Sequence, residues 1–162
     1  MNVKATHTYL QNWQTTKKIV VNRGGTRSGK TYSLCQMIMV WLLTGQIREG
    51  QSIPSGTCSV VRKYSTTISK TVQRDFHDIL SEYKVLGLIE FNKTNRTYKY
   101  LDRMVEFFGA DDQQKIRGYK ANILFCNEVN ELGFKTEFSQ LLFRTTDVIF
   151  MDFNPSDPFV WV

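Results

Sequence analysis

The chain has 162 residues, 41% of them hydrophobic and 13% aromatic, which is material for a single α/β-sized domain with a proper core, and one domain over residues 1–162 is expected. A formal net charge of +6 favours an anionic partner, whether nucleotide, nucleic acid or membrane surface. The three cysteines, Cys35, Cys58 and Cys126, are widely spaced and never form Cys-x-x-Cys, so they suggest neither a disulfide framework nor a zinc site and read as buried thiols.

At the N-terminus, "MNVKATHTYLQNW" lacks the apolar core of a signal peptide. The longest apolar stretch, "MIMVWLL", is far short of the roughly 20 residues that span a bilayer. A soluble intracellular protein with no membrane partner is expected. "KIVV", Lys18 to Val21, reads as a buried parallel strand that stops at glycines. The run from Thr31 to Leu43 is apolar on more than one face and predicts a largely buried helix ending near Gly45. "QIREGQSIPSG" reads as a surface loop, and "TCSVVRK" as a second strand. From Ser65 to Tyr83, Ile68, Val72, Phe76, Ile79 and Leu80 recur at helical spacing and predict an amphipathic helix. "LIEF", "TYKY" and "MVEFF" read as short strands forming hairpin material at one sheet edge. "NILFC" and "DVIFMDF" are two more strands, separated by a helix from Phe134 to Leu142. Strands alternating with helices predict an α/β fold, a mostly parallel sheet of about five core strands with helices on both faces.

Between the first strand and the first long helix lies Gly24-Gly25-Thr26-Arg27-Ser28-Gly29-Lys30-Thr31. It satisfies the phosphate-loop pattern of Gly, four residues, Gly-Lys-Ser/Thr, in the strand-to-helix setting that pattern requires. Glycines let backbone N–H groups turn inward around a β-phosphate, and the helix N-terminus adds favourable field. Lys30 would reach the β- and γ-phosphates. The Thr31 hydroxyl would join the shell of a Mg²⁺ ion that otherwise keeps several waters. A chance Gly-rich turn is the competing reading.

A phosphate loop alone leaves kinase, GTPase and ATPase open. "ILFCNE", Ile123 to Glu128, puts Asn127 and Glu128 at the carboxyl end of a strand, where open α/β sheets bind ligands. Glu128 there can orient and deprotonate a water attacking the γ-phosphate, and a structural Glu at a strand end is the alternative. Most such ATPases carry Asp immediately before this Glu. The neutral Asn127 can act on a metal only through a bound water. The guanine-reading Asn-Lys-x-Asp is missing, since Asn92-Lys93-Thr94-Asn95 ends in Asn, which disfavours a GTPase. A further strand ends in Asp152 followed by Asn154-Pro155. Asn154 could sense the γ-phosphate, or it could belong to a plain Asx-Pro turn.

"NRGGTRSGKT", "VVRK", "VEFFGADDQQKIRGYKANILFCNEVNEL" and "DFNPSDPFVWV", in this order, resemble the N-terminal ATPase domain of the large terminase subunit of tailed bacteriophages. The likeness runs from about Asn12 to Val162, and "GADDQQKIRG" is its most diagnostic part. The resemblance implies a phosphate-loop NTPase fold of the additional-strand, catalytic-Glu type. It implies ATP hydrolysis with Mg²⁺ that drives double-stranded DNA into a procapsid, in the host cytoplasm at the portal. The implied partners are the portal protein, a small terminase subunit and copies of the same chain in a ring, usually of five. Under the resemblance Lys30, Thr31 and Glu128 keep the roles given above and Gln14 contacts adenine, a plain surface Gln being the alternative; Asp152 and Asn154 stay candidates for γ-phosphate sensing or coupling on their place after the strand alone.

Terminases also place an arginine on the charge developing at the γ-phosphoryl group, an effect of about 10³ to 10⁵ in rate in related enzymes. Arg27 is the first choice within one subunit, and Arg117 or Arg144 could act across a ring interface. Large terminases carry a second, nuclease domain, which this chain does not reach; no DNA cleavage is expected of it, whether it is a truncated motor domain or one of two separately encoded halves. Lys93, Arg96, Tyr98, Lys99, Tyr100 and Arg103 read either as a DNA-tracking strip or as a solvated hairpin face. A helicase-like or kinase-like enzyme and a non-catalytic nucleotide-binding module remain as other readings.

Overall fold

The computed structural model describes residues 3–155 and 161–162. Its frame is a seven-stranded sheet in the order β1-β9-β8-β4-β7-β6-β5. The strands are β1 (Ile19–Arg23), β4 (Gly56–Arg62), β5 (Glu90–Asn92), β6 (Thr97–Tyr100), β7 (Arg103–Gly109), β8 (Ala121–Cys126) and β9 (Thr145–Phe153). From β1 through β7 every neighbouring pair is parallel, and β6 and β5 add antiparallel at the edge. The mostly parallel sheet with five core strands matches the sequence-based expectation. "MVEFF" does more than the hairpin expected of it: as β7 it pairs antiparallel with β6 and, on its other side, parallel with β4 inside the sheet, because its Val105, Phe107 and Phe108 are apolar on both faces.

"KIVV" also differs. β1 is an edge strand that pairs only with β9, so Ile19 and Val21 stay 43% and 47% exposed. Its other face lies under α1 (His7–Gln14), a helix that apolar periodicity did not announce. Polar contacts position that helix. Thr6 caps it by accepting from the Tyr9 amide at 3.0 Å, and the Asn12 and Asn22 amides pair reciprocally at 2.7 and 3.1 Å.

The long apolar run forms α2 (Lys30–Thr44), entered through Gly29 at φ 78° and left through Gly45 at φ 81°. Both glycines sit in the left-handed region that other residues enter at a cost. Residues Ser33 to Leu42 are buried. The carbonyls at the end of α2 receive a buried cation: Arg103 donates to Leu42 O at 2.8 Å, Leu43 O at 3.1 Å and Pro54 O at 2.7 Å. Arg103 therefore leaves the basic strip proposed from sequence, as does Tyr98, which is 1% exposed. The expected loop after α2 contains a short hairpin, β2 (Gln46–Arg48) with β3 (Gln51–Ser52).

The amphipathic stretch is divided into α3 (Ser65–Ile68) and α4 (Val72–Glu82), with Thr71 out of helical geometry at φ −124°, ψ −113°. All five predicted apolar positions are buried. Gly109 and Asp111 explain part of "GADDQQKIRG". A Cβ on Gly109 would stand 2.1 Å from the Ser65 nitrogen, and Asp111 accepts from that same amide at 3.0 Å. Asp112 caps α5 (Gln113–Gly118) through the Gln114 and Lys115 amides. The expected helix 134–142 starts instead as a π-turn, Phe134–Phe138, and continues as α6 (Ser139–Phe143).

Apolar side chains cover the two sheet faces alternately. Ile123 and Phe125 join Leu34, Trp41 and Phe76 under α2 and α4, whereas Leu124 and Cys126 join Ile116, Phe138 and Leu141 under α5 and α6. The three cysteines are buried and free, as expected. No helix among the described residues is long and apolar enough to cross a membrane. Replacing Arg103 by Ala strips three carbonyls of a charged donor and should lower stability by about 2–4 kcal/mol. Urea denaturation checks this, and a loss below about 1 kcal/mol would show that the α2 cap is dispensable.

Candidate functional site

Because β1, β9, β8 and β4 run parallel, their carboxyl ends share one rim of the sheet. The glycine-rich loop leaves β1 on that rim and enters α2 without any side-chain cap, so the first amides of the helix have no side-chain acceptor. A Cβ on Gly25 would meet no protein atom within 4 Å. Arg27, at φ 63°, stands exposed at the loop tip. Loop residues Thr26 to Thr31 line a cleft of about 330 Å³ together with Tyr32, Asp75, Glu128 and Asn154.

Lys30 is 9% exposed. Its ammonium, which needs partners when buried, donates to Gly24 O at 2.8 Å, Gly25 O at 3.0 Å, Ser28 Oγ at 3.0 Å and Asn154 Oδ1 at 3.1 Å. The same Asn154 gives its Nδ2 to Glu128 Oε1 at 3.0 Å. One amide thus links the loop cation to the carboxylate across the cleft. Glu128 itself sits at φ 52°, ψ 55°, a left-handed conformation that a residue with a Cβ adopts at a cost. Arg62, at the carboxyl end of β4, is paired with Glu131 at 3.4 Å.

Beneath this bridge lies Asp152, 1% exposed. Thr31 Oγ1 donates to its Oδ2 at 2.5 Å, and Asn127 Nδ2 donates to both oxygens at 2.9 and 3.2 Å. The Glu128 backbone N–H donates to Oδ1 at 2.9 Å. Burial pushes the Asp152 carboxyl above its ordinary range, against the Thr31, Glu128 and Asn127 hydrogen bonds and the Lys30 charge. Glu128 is raised chiefly by burial and then by the Asp152 charge, while Arg62 and the Asn154 hydrogen bond pull it down.

The structure therefore brings together Gly24 to Thr31, Asn127, Glu128, Asp152 and Asn154. Gln14 ends α1, exposed, and is not among the residues lining the cleft. Arg144 donates to Ile116 O at 3.0 Å and to Arg117 O at the end of α5, beside the amino ends of β8 and β9. Both arginines thus lie at the opposite end of the sheet from Lys30 in their own chain. Asp75 and Arg62 are site residues that sequence reading missed. "VVRK" held a signal for Arg62, since it is a strand with a cation at the end where ligands bind. Residues 156–160 of the terminal motif lie outside the described residues, while Trp161 donates to Leu132 O at 2.8 Å and packs on Phe134 and Phe138.

One strand, β9, separates β1, which carries the loop, from β8, which carries Glu128. That order, with the loop cation and the carboxylate facing one cleft, is the additional-strand arrangement of the phosphate-loop NTPase fold. The chain belongs to the phage terminase large subunit family, whose model matches residues 16–162. Among solved structures it is similar to the large terminase of a thermophilic bacteriophage, at TM-score 0.74 and 16% identity, covering 95% of this chain and 39% of that one. The same thermophilic bacteriophage's terminase in complex with ATP-γ-S is similar at TM-score 0.67 and 15% identity, over 95% of this chain and 38% of that one. The Thermus phage P74-26 large terminase ATPase domain matches at TM-score 0.66 and 13% identity, over 92% of this chain and 64% of that one. The chain thus spans about two fifths of the length of the thermophilic bacteriophage's terminase. The comparison with curated protein sequences gives no match.

A carboxyl whose folded-state pKa is raised holds its proton more tightly when folded, so the folded state gains stability as pH falls through that value. Glu128→Gln removes the ionised, half-buried charge. It should therefore be more stable than the parent at pH 7.5, and that advantage should shrink as pH falls toward the ordinary carboxylate range. Urea midpoints at pH 7.5 and 5 check this, and an advantage that grows on acidification would contradict it.

Proposed function

We propose that this chain is the ATP-hydrolysing motor unit of a phage DNA-packaging machine. The observation that carries the reading is the bridge from Lys30 through Asn154 to Glu128, which makes the phosphate-holding cation and the water-activating carboxylate one hydrogen-bonded unit. The α2 amides and Lys30 would hold the β- and γ-phosphates of ATP, and Glu128 would take the proton of the attacking water. A γ-phosphate that draws Lys30 to itself competes with Asn154 and so alters the partner of Glu128. Arg27 is the arginine lining the cleft and would face the charge developing on the γ-phosphoryl group. Mg²⁺ fits the donors present, since the Thr31 hydroxyl stands beside a buried carboxylate. When bound, the ion would neutralise charge between the phosphates.

The wider setting is part of the proposal: double-stranded DNA as cargo, a portal protein and a small terminase subunit as partners, a ring of about five copies, and action in the host cytoplasm at the procapsid. A non-catalytic module draws its support from the neutral Asn127 and from the missing nuclease half. The Asp152 carboxylate 2.9 Å away weakens the first of these. DNA contact falls on what remains of the basic strip. Lys93 and Arg96 border an open groove of about 560 Å³ with Arg74, His77 and the exposed Phe91.

Magnesium-dependent ATP turnover, measured beside nucleotide binding, tests the catalytic core. Lys30→Ala should lose binding. Glu128→Gln should bind ATP yet turn over about 10² to 10⁴ times more slowly, and turnover within threefold of the parent would remove Glu128 as the base. For DNA, Lys93→Glu with Arg96→Glu should flatten the log-log salt dependence of duplex binding by about 2 units. Anisotropy titrations from low to moderate salt read this slope, and an unchanged slope retires the groove as a contact.

A further inference from the structure

We infer that Asp152 is the carboxylate of the magnesium site, supplied from β9 in place of the β8 residue before Glu128, where this chain has Asn127. The inference rests on the nucleotide-site reading above and assigns a residue within it. Three observations converge on the exchange. Met151 pairs with Cys126 across the β8–β9 ladder, so Asp152 and Asn127 are the next positions beyond it and sit side by side at the rim. Asn127 donates its amide to both Asp152 oxygens, at 2.9 and 3.2 Å. A second carboxylate at 127 would set two like charges against each other at this distance, and an amide instead supplies a donor. Asn127 is therefore the complement of Asp152, and the site keeps one acid.

Thr31 supplies the second observation. Its hydroxyl proton goes to Asp152 Oδ2 at 2.5 Å, which fixes the rotor and leaves a lone pair for a cation at the start of α2. Asn127 cannot do this, because its nitrogen faces Thr31 Oγ1 at 3.5 Å and has no acceptor to offer there. The third is position in the fold. β9 lies between β1 and β8, with Asp152 in register with Asn22 of the loop strand. Its carboxylate thus stands between the phosphate loop and the Glu128 turn, whose backbone N–H it also accepts. Mg²⁺ keeps several waters when it binds nucleotides, and an acid held here would orient Thr31 and accept from one such water by giving up its longest contact, to Asn127 at 3.2 Å.

The test is the gain in affinity that Mg²⁺ gives ATP-γ-S, taken as the ratio of dissociation constants in EDTA and in excess Mg²⁺, with Mn²⁺ binding to the ADP complex followed by electron paramagnetic resonance. Asp152→Asn should cut the wild-type ratio at least tenfold and weaken Mn²⁺ binding to a similar degree. The reversed pair, Asn127→Asp with Asp152→Asn, should recover most of both. Asp152→Ser, which keeps an oxygen for the Glu128 amide, serves if Asp152→Asn does not fold. A folded Asp152 variant that keeps the wild-type ratio overturns the inference, as does a reversed pair no better than Asp152→Asn. A wild-type protein that binds no nucleotide under either condition overturns the site reading itself, and the inference with it.

Discussion

The rim of the sheet is organised around one buried anion. Asp152 is almost without solvent, and an unpartnered charge there would be expensive. The fold surrounds it with donors from three segments: a hydroxyl from the first turn of α2, an amide from the end of β8 and a backbone N–H from the Glu128 turn. Each donor is itself a residue of the proposed chemistry. Satisfying Asp152 therefore fixes the start of α2 relative to β8, and the geometry of the phosphate loop toward Glu128 follows from it.

Above that anion the contacts are softer. Lys30 has four oxygens within 3.1 Å for three N–H groups, so at least one contact is shared. Phosphate oxygens are stronger acceptors than the backbone carbonyls they would displace. The left-handed Glu128 adds stored strain at the same place, held by the Asp152 hydrogen bond to its N–H and the Asn154 contact to its side chain. A rigid lower layer and an exchangeable upper layer suit a site that must change partners once per cycle without losing its frame.

The phosphate loop was legible because its requirements are local: glycines where the backbone turns, a lysine and a threonine at the first positions of the helix. The α/β class and the core faces of α4 and β8 followed from periodicity for the same reason. What escaped depends on pairing across the chain. Asp152 is 121 residues from Thr31, and Asn154 is 124 from Lys30, so no spacing rule could reveal either contact. α1 escaped because polar contacts, Asn12 with Asn22 and Thr6 with Ser33, place it rather than an apolar stripe. Arg103 was misread as part of a basic surface because a cation that caps buried carbonyls has the same letter as one in water. β1 was taken as buried because its composition is that of an interior strand, although its neighbour on one side is absent among the described residues.

The arginines divide their work by position. Arg117 and Arg144 stand at the far end of the sheet, with Arg144 held by the carbonyls that end α5, so within one chain neither can reach the cleft. Arg27 is beside the cleft and exposed, held in a left-handed conformation at the loop tip. Arg62 is different again: it lowers the Glu128 carboxyl while paired to Glu131, and thereby opposes the burial and the Asp152 charge that raise it. Arg62 thus bears on the carboxyl, while Arg27 is placed for the proposed contact with phosphate, which leaves room for a further arginine from a neighbouring copy without requiring one.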